Sequence, residues 1–185
     1  MQGADVMPEK YRICVESWKR HHPDWEIMMW SRENIPPMVN SWILDRTDDP
    51  TFLSEIVRFE VVLAFGGVYI DADMECWKPI DPIIKHLQAF VTKRNSDYLE
   101  NAGFGCTRDH PWIRAVVNEI NELKGRIYRI LDVMGPMEKV TSGRDDVRVF
   151  PVHMFHLSEE EVASHSSPDI TYSVHHRHGV WNGKY

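Results

Sequence analysis

Nowhere in the 185 residues do more than two lysines or arginines stand together, and the formal net charge is −7. Nucleic-acid-binding proteins usually carry a basic patch or stripe, so nucleic acid is excluded as the main partner. A nucleotide reached through a metal ion is not. Cysteine is scarce as well: Cys14, Cys76 and Cys106 are far apart and odd in number. Without a CxxC pair there is no zinc knuckle, and without an even, closely spaced set there is no disulfide framework. The three read as reduced, buried thiols of a cytoplasmic protein. Long hydrophobic runs are also missing. The longest, Val61 to Phe65, falls far short of the ~20 residues a membrane helix needs. The opening MQGADVMPEK has neither the basic nor the apolar region of a secretory signal. The expectation is a soluble, untargeted chain with no membrane span.

What is present is ordinary for a globular protein: 43% hydrophobic and 26% charged residues, enough for one domain over residues 1–185 with a sizeable core. Tyr11, Cys14, Val15 and Trp18 fall at helical spacing, predicting a helix over 8–22 with Pro8 in its first turn. WEIMMW (25–30) reads as a strand, and the stretch containing Pro36-Pro37 as loop. Asp48-Asp49-Pro50 starts a helix over 51–65 that is apolar almost all round, and Gly66-Gly67 ends it. VYID follows as a strand. A short helix is expected near 83–87, strands at QAFVTK and NAGFGC, a helix over 110–123, another around 127–133, and late strands at VRVFPV and ITYSV. Alternating helices and strands favour an α/β sheet.

The chemistry concentrates where VYID runs into Asp71-Ala72-Asp73. On an extended strand residues i and i+2 share a side, so both carboxylates are expected to face one spot. Two such charges repel unless a cation sits between them or one is protonated. Oxygen ligands of this kind suit Mg²⁺ or Mn²⁺, metals that commonly share their coordination with substrate phosphates. In open α/β sheets ligands bind beyond the carboxyl ends of strands, where this pair should lie. A solvated strand end is the plainer reading of DxD; the preceding buried helix, glycine stop and strand make the composite more specific.

That composite, LSEIVRFEVVLAFGGVYIDADMECWKPIDPI, resembles the core of the DXD-containing sugar transferases, glycosyltransferase family thirty-two, which includes fungal initiating mannosyltransferases and bacterial capsular polysaccharide enzymes. The family pattern is roughly Ser-Asp-x-x-Arg on a helix, then Gly-Gly-x-Tyr-x-Asp-x-Asp. CVESWKRHHPDWEIMMW, NAGFGCTRDHPW, MGPMEKVT and YSVHHRHGVWN are similar to further family segments, so the likeness covers nearly the whole chain. It implies a GT-A-like, Rossmann-like mixed sheet flanked by helices, and transfer of a sugar from a UDP- or GDP-sugar to a glycan, polysaccharide or other hydroxyl acceptor. It implies retention of configuration by front-face attack, since no protein nucleophile is evident. Asp71 and Asp73 would hold Mn²⁺ or Mg²⁺ on the donor diphosphate, with His175 completing the metal site. Arg58 would serve catalysis near the diphosphate. Glu55, standing where the family has Asp, would bind sugar hydroxyls, and Asn101, His176 and Trp181 would contact substrate. Tyr69 and Trp77 read as core packing.

Besides Glu55, the sequence departs from the family near both of its ends. Arg177 and Val180 replace an aromatic and a serine near the end. The family's first strand, of the type Pro-Lys-Ile-Ile-His-x-x-Trp-x-Gly, would end where Met1-Gln2-Gly3 stands; without it a central sheet position is expected to lie open, exposing edges. An inactive relative that binds nucleotide or glycan is therefore a second reading. A DxD phosphohydrolase is a third, disfavoured because Met74-Glu75-Cys76 replaces the turn such enzymes carry.

Overall fold

The computed structural model describes residues 7–124, 126, 133–164 and 168–177. Helix α1 (Glu9–His21) follows Pro8 as its spacing predicts. After a loop and the short α2 (Ile43–Arg46), helix α3 (Pro50–Phe65) starts where Asp49 accepts the N–H of Thr51 at 2.9 Å, a side-chain cap on an otherwise unpaired donor. Its end is equally local in origin. Gly66 adopts φ +71°, and a Cβ there would stand 2.5 Å from the backbone nitrogen of Arg108, so glycine alone fits the turn into strand β1 (Gly67–Ile70).

Strand β2 (Met74–Cys76), helix α4 (Asp81–Ile84), strands β3 (Ala89–Lys93) and β4 (Leu99–Cys106), and helices α5 (Pro111–Glu122) and α6 (Met134–Thr141) follow. Then come β5 (Arg148–Phe150), α7 (Val152–Phe155), α8 (Glu159–Ser164) and β6 (Ser173–His175). The main sheet has the order β1-β4-β3-β5. Its first three strands pair antiparallel and β5 runs parallel to β3, so the sheet is mixed, as expected. Alternation along β3, together with an irregularity in β4, divides the core. Val91 and Phe104 face α3, α5 and α6, packing with Phe59, Trp112 and Met137. Phe90 and Ala102 face the other way, toward Trp18 of α1, Met74 of β2 and Phe155 of α7. Helices thus cover both faces. Among the described residues no helix is long and apolar enough to cross a membrane.

A second, two-stranded sheet pairs β2 with β6 in antiparallel register, Met74 opposite His175. Helix α1 anchors it: Trp18 Nε1 donates to Met74 O at 2.8 Å, and Cys76 N donates to Ser17 Oγ at 2.8 Å.

Several expectations are corrected. Residues 26–30 form no strand, because no described strand lies beside them to pair with. The helix expected at 127–133 falls outside the described residues save for its last position. The short helix near 83–87 begins earlier, at Asp81. Helices α2, α7 and α8 were not foreseen; α2 and α7 have four residues and α8 six, too short to display a periodicity. Among the described residues one edge of β1 is unpaired. Asp71 N donates to Ala102 O at 2.8 Å, so by strand alternation Val68 and Ile70 turn their backbone groups away from β4. They face a groove of about 400 Å³ walled by Trp18, Ile27, Met29, Val57 and Val61, and no described strand fills it.

Candidate metal and substrate site

The two aspartates do not lie on an extended strand. Asp71 follows β1, and Met74 N donates to Asp71 O at 3.0 Å, closing a tight turn before β2. The correction has a physical cause: β1 and β2 belong to different sheets, and the chain must reverse between them. The carboxylates still converge, and β6 brings a third group to them. His176 N donates to Asp73 O at 3.1 Å, and His175 Nε2 stands 3.3 Å from Asp73 Oδ1. One ligand atom each from Asp71, Asp73 and His175 lies within 4.8 Å of the others. Six-coordinate Mg²⁺ with bonds near 2.1 Å has neighbouring ligands roughly 3 Å apart and opposite ones about 4.2 Å apart. The three residues could therefore close around a small divalent cation with little movement.

Asp71 is held from behind. Tyr69 Oη donates to Asp71 Oδ1 at 2.8 Å, and Arg58 Nη1 stands 3.2 Å from the same oxygen. Arg58 is in turn fixed on all sides. Its Nη2 donates to Glu55 Oε1 at 2.8 Å, its Nη1 to Asn101 O at 3.0 Å and to Asn101 Oδ1 at 3.1 Å, and its Nε to Ser54 O at 3.0 Å. Asn101 Nδ2 closes the loop by donating to Glu55 Oε2 at 2.6 Å. Glu55, Arg58 and Asn101 are all buried. Strand β4 reaches the cluster through an irregularity: Asn101 to Gly103 face a single step of β3, from Val91 to Thr92. The bulge re-aims the side chain and carbonyl of Asn101 toward Arg58.

Arg58 offsets part of the carboxylate charge of this cluster at low solvent access. Burial opposes the charge of Arg58, but the carboxylates of Asp71 and Glu55 outweigh it and raise its pKa. Burial raises the Glu55 carboxyl above the usual range, with Arg58 offsetting part of the effect. Burial also lifts the Tyr69 hydroxyl well above its ordinary value, despite Arg58 beside it. Tyr69 therefore stays a neutral donor to Asp71.

Beside this group, His176 Nε2 lies 3.0 Å from Glu75 Oε2, and its Nδ1 3.8 Å from Glu159 Oε1. Behind His175, the ring of His156 is 5.6 Å away, centroid to centroid. His156 Nε2 meets Thr92 Oγ1 at 2.5 Å, and Thr92 Oγ1 donates to Gly103 O at 2.7 Å. Burial first, then His175 and Arg177, push the His156 pKa well below its ordinary value, so the ring is neutral.

The structure thus brings Glu55, Arg58, Asp71, Asp73, Asn101, His175 and His176 to one region. Trp181 lies outside the described residues. Tyr69 is more than core packing, since it reaches Asp71; a tyrosine two residues before the first aspartate was the available signal. Trp77 is 36% exposed rather than packed in the core. Nothing in the sequence pointed to Thr92 or His156.

Residues 8–90 match the family described as glycosyltransferase sugar-binding region containing DXD motif. Over 95% of its length the chain is 23% identical to inositol phosphoceramide mannosyltransferase 1 of Schizosaccharomyces pombe, spanning 61% of that protein. It is 26% identical over 63% of its length to mannosyl phosphorylinositol ceramide synthase CSH1 of Saccharomyces cerevisiae, spanning 33% of it. The chain thus covers less than two thirds of either relative. The crystal structure of a glycosyltransferase involved in glycosylation of the major capsid of PBCV-1 superposes with a TM-score of 0.50, at 12% identity, over 94% of this chain and 89% of that one. The fold is accordingly that of GT-A-type glycosyltransferases.

Proposed function

We propose that the chain, whose residues 8–90 match the DXD-containing sugar-binding region of glycosyltransferases, transfers a hexose, with retention, from a UDP- or GDP-sugar to a hydroxyl of a glycan or glycolipid. The observation that carries this reading is the convergence of Asp71, Asp73 and His175 within 4.8 Å at the end of β1. These three residues would hold Mn²⁺ or Mg²⁺. When bound, such a cation stabilises the negative charge that grows on a departing diphosphate.

The chain's own residues do the rest by positioning. Tyr69 and Arg58 fix the Oδ1 edge of Asp71. Glu55 and Asn101 hold Arg58, and both Glu55 oxygens are occupied in doing so. In this proposal the trio therefore acts behind Asp71, and sugar hydroxyls are met by groups nearer the opening. The relatives' names point to mannosyl transfer and to an inositol phosphoceramide acceptor, so a mannosyl donor is tested first.

The experiment is a thermal shift with Mn²⁺ and UDP, GDP or their sugars, against Asp73→Asn, followed by donor hydrolysis and transfer assays. A ligand at a hundred times its Kd adds about 2.7 kcal/mol, roughly 5–10 °C here. A Mn²⁺-dependent shift lost in the variant, with sugar release, supports the reading. Binding without turnover replaces it with the inactive relative, and no shift with any nucleotide overturns it.

A further inference from the structure

Two buried ring nitrogens, His156 Nδ1 and His175 Nδ1, have no hydrogen-bond partner among the described residues. Buried polar atoms are rarely left so, and these two belong to rings 5.6 Å apart. Their segments are held side by side. His175 N donates to Leu157 O at 3.1 Å, and Ser173 Oγ donates to Phe155 O at 3.0 Å. Arg177 Nη2 donates to His156 O at 3.1 Å.

The tautomer of His156 follows from its neighbours. The Thr92 hydroxyl has one proton, and it goes to Gly103 O. Thr92 Oγ1 therefore accepts from His156 Nε2, which leaves a lone pair on His156 Nδ1. The demand on His175 is the complement. An imidazole that turns its Nε2 lone pair to a metal carries its proton on Nδ1, and metal-bound histidines give that proton to an acceptor behind them.

We propose that His156 is a positioning residue for the cation site: its Nδ1 accepts the Nδ1–H of His175, directly or through one water, and so fixes His175 as an Nε2 ligand. The relay reads Gly103 O, Thr92 Oγ1, His156, His175, cation. This role rests on the metal reading of Asp71, Asp73 and His175. It assigns a task to Thr92 and His156, which lie behind the donor groups and touch no substrate.

The test uses the full chain and the metal alone. Two-bond ¹H–¹⁵N imidazole spectra report tautomers in the metal-free protein and with diamagnetic Mg²⁺ or Zn²⁺. Calorimetry gives Mn²⁺ affinity for wild type, Asp73→Asn, His156→Phe and Thr92→Val. The expected result is an Nε2–H tautomer at His156 throughout, and an Nδ1–H tautomer at His175 on metal binding. Mn²⁺ affinity should fall about 10–100-fold in both His156→Phe and Thr92→Val, and Thr92→Val should release the His156 tautomer. An Nδ1–H tautomer at His156 in the wild type overturns the proposal even if His156→Phe fails to fold. So does undiminished Mn²⁺ affinity in the folded variants, while leaving the metal reading intact. A wild type that binds no cation overturns both, and that outcome is read separately.

Discussion

Arg58 Nη1 stands 3.2 Å from Asp71 Oδ1, so the middle of α3 is tied directly to the turn that carries the DxD pair. Arg58 and Glu55 are 2% and 3% exposed, and neither charge has water to fall back on. Removing one partner of a buried pair strands the other. Arg58→Met should lower stability by about 3–5 kcal/mol. The double variant Arg58→Met/Glu55→Leu should recover much of that loss while still failing to fix Asp71. Urea unfolding of the three proteins measures the first effect and Mn²⁺ titration the second.

Tyr69 offers a milder perturbation of the same carboxylate. Tyr69→Phe keeps the ring stacked on Phe104, 5.5 Å between centroids, and removes only the hydroxyl that donates to Asp71. Mn²⁺ binding should weaken about 10–100-fold, the usual cost of losing a group that orients a ligand. Affinity equal to wild type by calorimetry would mean the hydroxyl does not orient Asp71.

The α3–β1 turn should tolerate no side chain. Gly66→Ala combines a positive φ with a Cβ placed against the Arg108 backbone, and should cost more than about 1 kcal/mol. Gly135→Ala, in α6 with open space around the new methyl, should be neutral or stabilising by roughly 0.5–1 kcal/mol. Thermal melts of the pair separate this local strain from a general cost of replacing glycine.

Acid should loosen α1 from the rest of the protein through His22. Its Nδ1 faces Trp18 O at 3.2 Å, and its Nε2 accepts from Ile80 N at 2.9 Å, so the ring is held neutral. Burial lowers its pKa, with Trp18 O and Asp81 opposing in part. A depressed pKa means the unfolded chain binds the proton more readily than the folded one. The contribution is complete above the unfolded value of about 6.5 and is lost as pH falls through the lower, folded value. His22→Gln should flatten that part of the stability–pH curve measured by urea unfolding between pH 7 and 5.

The sequence made the frame of the site legible because its signals are local. Asp49-Pro50, the apolar α3, Gly66-Gly67 and the DxD pair each act within a few residues, and each lies where it was expected. The strand expected at 25–30 failed because strand character depends on a neighbour, not on WEIMMW alone. The extended geometry expected of Asp71 and Asp73 failed for a related reason: the chain changes sheets at that point, which periodicity does not report. Thr92 and His156 were invisible because their partners come from three separate elements, and a lone threonine or histidine carries no pattern. Glu60 belongs with them. It is buried and accepts from Asn40 N at 2.7 Å and Asn40 Nδ2 at 2.8 Å, fastening the 31–42 loop to α3, a task no spacing announced.

The pairing of β2 with β6 also sets a timetable. Glu75 and His176, which meet across it, are 101 positions apart, and contacts so distant in sequence form slowly because a long loop must close first. Helix α3, β1 and the DxD turn are made early during synthesis, when β6 has yet to emerge. The donor set then waits for its histidine until β6 docks. Under the proposed metal reading, a cation that binds only the completed set favours the docked form by mass action, acting as a clasp between strands far apart in sequence.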